Sequence, residues 1–296
     1  MNPHIPEAQP ARSAPQPLAP SRDDRLLPLT RAVAAAIIVI LILAVFALYL
    51  NPDQTDQNFA WTIKPRMMAM AIGAGYLMGA YFFARVLTAG RWHRVAAGFL
   101  PITAFTIGMA LATIMHWDRF HQTQWPALAW AGIYALTPFL VPAIWWMNQR
   151  TDPRVLEADD LVVPKPARWI TATVGAGMVA GVVLVFVQPE LAIRVWPWSL
   201  TPLTARVLAG WFMLPAVGGL YLAREPRWSG WRILVETVTV FCAFFLIAAV
   251  ISWGDWSQTG AQTWGLVLMM VAVLLLGPAL YVYFEMKRKR TAVSRS

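Results

Sequence analysis

The run Ala32–Leu50, AVAAAIIVILILAVFALYL, is nineteen residues without a charge. As a helix rising about 1.5 Å per residue it crosses roughly 30 Å of hydrocarbon. Seven further apolar runs follow: Met67–Leu87, Val95–Met115, Pro126–Met147, Trp169–Val187, Pro202–Ala223, Ile233–Trp253 and Trp264–Phe284. They are continuous rather than alternating, so the sequence predicts membrane-spanning helices and not a β-barrel. Composition agrees. Of 296 residues 58% are hydrophobic and 13% charged, with a mean hydropathy of +0.53, where a soluble domain carries about 25% charged residues. A soluble enzyme and a disordered chain are excluded, and the single cysteine, Cys242, excludes a disulfide scaffold.

The basic residues fall in alternate loops. Of 24 Lys and Arg, 19 lie on one side of the expected membrane, in residues 1–31, the loops after the second, fourth and sixth runs, and the C-terminal segment. Lys64, Arg66, Arg119 and Arg194 lie on the other side, and Arg206 falls within a run. By the positive-inside rule the chain is an inner-membrane, multi-pass protein with both termini cytoplasmic. This topology accounts for the net charge of +9, so the expected partner is the lipid bilayer and not nucleic acid. Residues 1–31, rich in proline, read as a disordered cytoplasmic arm rather than a cleaved signal, and 287–296 as a basic cytoplasmic tail.

The second half repeats the first. A shift of 137 residues pairs Pro52 with Pro189, Trp61 with Trp198, Pro65 with Pro202 and Gly73 with Gly210. A shift of 139 then pairs Trp92 with Trp231, Trp117 with Trp256 and Trp125 with Trp264, and Pro138 pairs with Pro278 one residue later. The expected architecture is all-α: eight transmembrane helices as a tandem parallel repeat of two four-helix units, 32–148 and 169–286, joined by a polar cytoplasmic linker, 149–168. The stretch Trp196-Pro197-Trp198-Ser199-Leu200-Thr201-Pro202-Leu203-Thr204-Ala205-Arg206 resembles a motif of uncharacterised bacterial multispan membrane proteins. The first copy lacks its Trp-Pro-Trp and its arginine. The four-run unit is similar in architecture to small four-helix membrane modules of the DoxX-like kind. Both resemblances imply architecture and no activity.

Few residues could carry chemistry. Gly73-x-Gly75-x-x-x-Gly79 and Gly175-x-Gly177-x-x-x-Gly181 lack the preceding strand of a dinucleotide fingerprint and read as close helix packing. Arg206 is expected about 6 Å into the hydrocarbon, after Thr201 as N-cap and Pro202 in the first turn. It reads either as part of an outward-facing anion or headgroup site with Trp198, or as one half of an ion pair with Asp255. Glu236, near the cytoplasmic end of the seventh run, reads as a partner of Arg232 or as a relay or substrate group. His116, Asp118 and His121 are the metal-like cluster, at a spacing that better suits a polar interfacial turn. No histidine lies mid-run for haem, no serine has a matching His–Asp pattern, and no cofactor is called for. Most Trp and Phe are expected in interfacial belts or facing lipid.

Three functions stay open: binding or transport of a small anion or lipid from the outer side, an accessory or scaffold role with a partner in a membrane complex, or an enzyme built on the outer His/Asp cluster. Orientation is the most direct test. With Cys242 replaced by Ser, Arg154→Cys and Ser294→Cys should each react with an impermeant maleimide only after permeabilisation. Reaction from outside intact cells would overturn the assignment.

Overall fold

The structure, a computed structural model, describes residues 23–157, 159–256 and 260–293. Eight helices are long and apolar enough to cross a membrane: α1 (Pro28–Leu50), α2 (Arg66–Thr88), α3 (Ala96–Met115), α4 (Trp125–Gln149), α5 (Lys165–Val187), α6 (Pro202–Leu222), α7 (Trp228–Ile251) and α8 (Ala261–Val293). The last turn of α1, Phe46–Leu50, is π-helical. Among the described residues the only β pairing is one bridge between Val162 and Arg227. The chain is thus an all-helical, multi-pass membrane protein.

Three expected boundaries are corrected. Residues 1–22 of the expected arm lie outside the described residues, but 23–31 are ordered. Asp24 and Leu26 are buried, Asp24 N donates to Thr151 O (2.9 Å), and Trp92 N donates to Asp24 O (2.8 Å). Pro28 then opens α1 at a position where a missing N–H costs nothing. Helix α7 starts at Trp228, ahead of the expected Ile233, because Trp228, Ser229, Gly230 and Trp231 bury their side of the first turn. The basic tail is helical through Val293, and residues 294–296 lie outside the described residues. Arg288 holds the start of that extension, within reach of Glu285 and Asp159.

Neighbours in sequence pack in pairs, α1 on α2, α3 on α4, α5 on α6 and α7 on α8. Two further contacts cross the middle of the chain: α2 packs on α7 and α3 on α6. The centre is therefore α2, α3, α6 and α7. In α2 67% of the apolar window is buried, against 6% in α8, whose apolar length faces outward. The first glycine pattern serves close approach, as expected, and the second does so only at Gly175. A methyl on Gly73 would fall 2.8 Å from Tyr49 Cβ of α1, and one on Gly175 would fall 2.7 Å from Ala216 O of α6. Gly177 and Gly181 meet nothing.

The tryptophans divide. Trp125, Trp169 and Trp264 are exposed as belt residues should be, but Trp61, Trp92, Trp198 and Trp228 are at most 2% exposed. Their lead-in segments fold back over the bundle ends, where rings meet rings, as Trp61 with Phe120 (5.2 Å) and Trp198 with Trp256 (5.3 Å).

The end at which α1 begins and α8 finishes, called the basic end below, is closed by the segment predicted as a linker. Asn148 joins α4 to α1, accepting from Leu27 N and donating to Thr30 Oγ1. Arg227 is 5% exposed and held by two carboxylates. Its NH1 and NH2 donate to Asp152 (2.9 Å each), and its Nε and NH2 donate to Glu225 (2.7 Å each). Burial alone would raise the Asp152 carboxyl, but the Arg227 hydrogen bonds and the N–H of Arg154 hold it below the usual range. A carboxyl so lowered stabilises the folded chain above about pH 4, and the contribution is lost as pH falls through the lowered value, because the unfolded chain binds the proton first. Asp152→Asn should therefore destabilise the protein at pH 7, by about 3 kcal/mol, and flatten the acid limb of its stability curve. An unchanged melting temperature in detergent would contradict this role.

Candidate functional site

The structure separates the residues singled out in the sequence. At the end opposite the basic one, Thr201 caps α6, as the sequence predicts, and does so in a reciprocal box with Thr204. Arg206 and Asp255 do not pair. Arg206 Nε donates to Phe186 O (2.9 Å) in the last turn of α5, and its NH1 donates to His116 Nε2 (2.8 Å). Asp255 Oδ2 accepts from Met67 N (2.8 Å) in the first turn of α2. Each charge sits at the helix end whose dipole favours it, the cation at a C-terminus and the anion at an N-terminus, and each satisfies a group its helix leaves unbonded. Trp198 lies in an aromatic cluster with Trp196, Trp256 and Phe245.

The metal-like trio does not converge either. His116 is engaged by Arg206, His121 Nε2 lies 3.2 Å from Thr62 Oγ1, and Asp118 is exposed beside Arg119. Burial, then the Arg206 charge, lowers the His116 imidazole below its ordinary value, which suits a nitrogen that accepts a hydrogen bond.

Glu236 lies near the basic end. Its nearest cation is Arg85 of α2, whose Nε is 2.8 Å from Oε2, while Arg232, the expected partner, is at 3.8 Å. Tyr81 O–H donates to the same carboxylate (2.8 Å). This ion pair faces a cleft of about 490 Å³ between α2, α7 and α8. Tyr81 and Arg85 come from α2, Val235, Glu236 and Thr239 from α7, and Gly277, Pro278, Tyr281 and Val282 from α8. Gly277 admits Thr239 closely: a methyl there would fall 2.4 Å from Thr239 Oγ1. Pro278 and Val282 are exposed at the mouth, so the cleft opens sideways on the outward face of α8. Its size is that of a small-molecule site.

A second polar cluster closes the basic end and carries residues that the sequence reading passed over. His93 Nδ1 meets the Asp24 carboxylate, His93 Nε2 lies 2.9 Å from Ser229 Oγ, and Ser229 donates to Asp160. Glu157 adjoins them, bound by Arg94 and Arg91. Burial would raise Glu157, but Arg94, then His93 and Arg91, bring it below its usual value. Asp24, His93 and Glu157 are the one group among the described residues with metal-like convergence. Both imidazole nitrogens and Glu157 already have partners, so the cluster is a joint between segments. One signal could have found it. The hydrogen bond between Asp24 and His93 recurs 136 positions later between Asp160 and Ser229, and that between Trp92 and Gln149 recurs at the same shift between Trp228 and Glu285.

Comparison with protein-family models, with curated proteins and with solved structures finds no match to this chain. The site is therefore read from its own geometry. Because Arg206 and Asp255 cap different helices, Arg206→Ala and Asp255→Ala should each cost about 1 kcal/mol and add within about 0.5 kcal/mol in the double variant. Coupling well above that, read from unfolding in detergent, would restore the direct ion pair.

Proposed function

We propose that this protein binds an amphipathic ligand, of the lipid class, in the lateral cleft between α2, α7 and α8. We further propose that it does so as an inner-membrane protein with cytoplasmic termini. The excess of basic residues at the end that carries the cleft supports that orientation.

A tandem parallel repeat is part of the same proposal. Under a pseudo-two-fold axis along the membrane normal, the pair α1–α2 corresponds to α5–α6, α3–α4 to α7–α8, and α2–α7 to α6–α3, and all six contacts occur. The matched hydrogen bonds 136 residues apart favour a register of 136 at this end.

The observation that carries the function is the asymmetry of the halves. In the 136-residue register Arg85 corresponds to Tyr221, Glu236 to Leu100, Gly277 to Val141 and Tyr281 to Trp145. Val141 is buried, and Tyr221 and Trp145 pack against the same apolar cluster. One half closes this place with apolar bulk, and the other opens it with a glycine and an ion pair. Intramembrane charges are costly, and a cleft that retains them is best explained by a polar ligand group. Anion binding at Arg206 from the outer side is less well supported, since that guanidinium serves the end of α5.

Val282→Trp places at the mouth the residue type found at the matching Trp146. Protein purified in mild detergent should carry bound lipid, counted by native mass spectrometry, and this variant should lose it while keeping its melting temperature. Equal lipid on both proteins, or none on either, would overturn the cleft as a ligand site.

A further inference from the structure

Adjoining the cleft is a crevice of about 50 Å³ lined by Arg85, Thr88, Ala89, Arg94, Arg232 and Ile233. Arg85 lines both spaces, so the two share a wall. Three guanidinium groups thus meet from three elements: the end of α2, the turn before α3, and the first turns of α7. Arg85 is held by Glu236, its Nε 2.8 Å from Oε2, but Arg94 and Arg232 each have a buried Nε–H that makes no hydrogen bond. The carboxylates nearby do not supply these two. Glu157 accepts from Arg94 Nη2 (2.7 and 3.0 Å), Glu285 is 3.6 Å from Arg232 Nη1, and Glu236 is 3.8 Å from Arg232 Nε. A buried donor left unbonded is costly, and two beside one small basic space call for an acceptor there.

We infer that this crevice seats the phosphate of a phospholipid whose remaining headgroup and chains occupy the cleft, an inference that rests on the cleft being a ligand site. A tetrahedral phosphate is close to the crevice in size and offers several strong acceptor oxygens. Guanidinium forks match those oxygens in geometry as well as charge. The position is right too: Arg94 and Thr88 lie at the basic ends of their helices, the depth at which lipid phosphates of that leaflet reside, and basic pockets between helices there suit phosphorylated headgroups. The lipid source is favoured over free phosphate because the adjoining space is walled in part by Val235, Pro278 and Val282 and opens sideways, features that a free ion has no use for.

The full-length protein, delipidated in detergent, can be offered dioleoyl-phosphatidylethanolamine, dioleoyl-phosphatidylglycerol, dioleoylglycerol or inorganic phosphate and read by native mass spectrometry. A phospholipid should bind at least about tenfold more tightly than dioleoylglycerol, which has the same chains and no phosphate. Arg232→Gln should abolish that preference, and Arg232→Lys, which keeps the charge without the fork, should restore part of it. If Arg232→Gln does not fold, the comparison with dioleoylglycerol on the unaltered protein decides alone. Equal binding of dioleoylglycerol overturns the phosphate seat and leaves the cleft standing, whereas failure of every lipid to bind overturns both. Competition by inorganic phosphate at the lipid's own concentration assigns the crevice to the free ion and overturns the lipid source.

Discussion

Each of the eight helices ends with backbone donors or acceptors that it cannot satisfy itself. That constraint governs where this chain places its few charges. Arg206 answers the carbonyl of Phe186 and Asp255 the amide of Met67. Asp24 and Asp160 answer the amides of His93 and Ser229 in the turns that enter α3 and α7. In every case the answering group comes from a different part of the chain, so the caps also serve as ties between helices. The polar residues at the two ends therefore specify which helix stands beside which, a task that apolar surfaces in lipid perform weakly.

The sequence discloses what depends on length and composition. All eight spans are visible because continuous apolar runs have one solution in a bilayer, and Thr201-Pro202 announces its own helix start. It conceals what depends on assembly. Arg206 and Asp255 look like partners because both lie at the far end, and only the packing of α5 and α2 beside them shows that each has a nearer helix terminus to serve. Tryptophan spacing aligns Trp92 with Trp231, yet Trp92 and Trp228 make the equivalent indole bonds, to Gln149 and Glu285. The rarity of tryptophan draws the eye to its spacing but does not set a register when several stand within a few positions. Glu236 is legible as an oddity within a span, while its main partner, Arg85, is far away in the sequence and looks like an ordinary loop-flanking cation.

The cleft owes its existence to small differences laid over shared packing. α7 and α8 lie together as α3 and α4 do, but where Val141 fills one pair, Gly277 brings Thr239 against α8 in the other. The ion pair of Arg85 and Glu236 then links α2 to α7 at the cleft wall, so the group that would meet a ligand under the proposed function also holds the centre together. Under that proposal function and stability are coupled through one carboxylate, which Tyr81 helps to orient by donating to it.

The crossing contacts also set an order of events during synthesis. Ring contacts from Trp211 of α6 reach Tyr76 of α2 and Phe105 of α3, and the first turn of α2 is capped by Asp255, which follows α7. When the first four helices have entered the bilayer, the faces of α2 and α3 that will form the centre still lack their partners, and the amide of Met67 has no side chain to receive it. A nascent chain of this design cannot finish one half and then the other. Its early helices, packed only as the pairs α1–α2 and α3–α4, wait in the lipid until α6 and then α7 arrive to complete the centre.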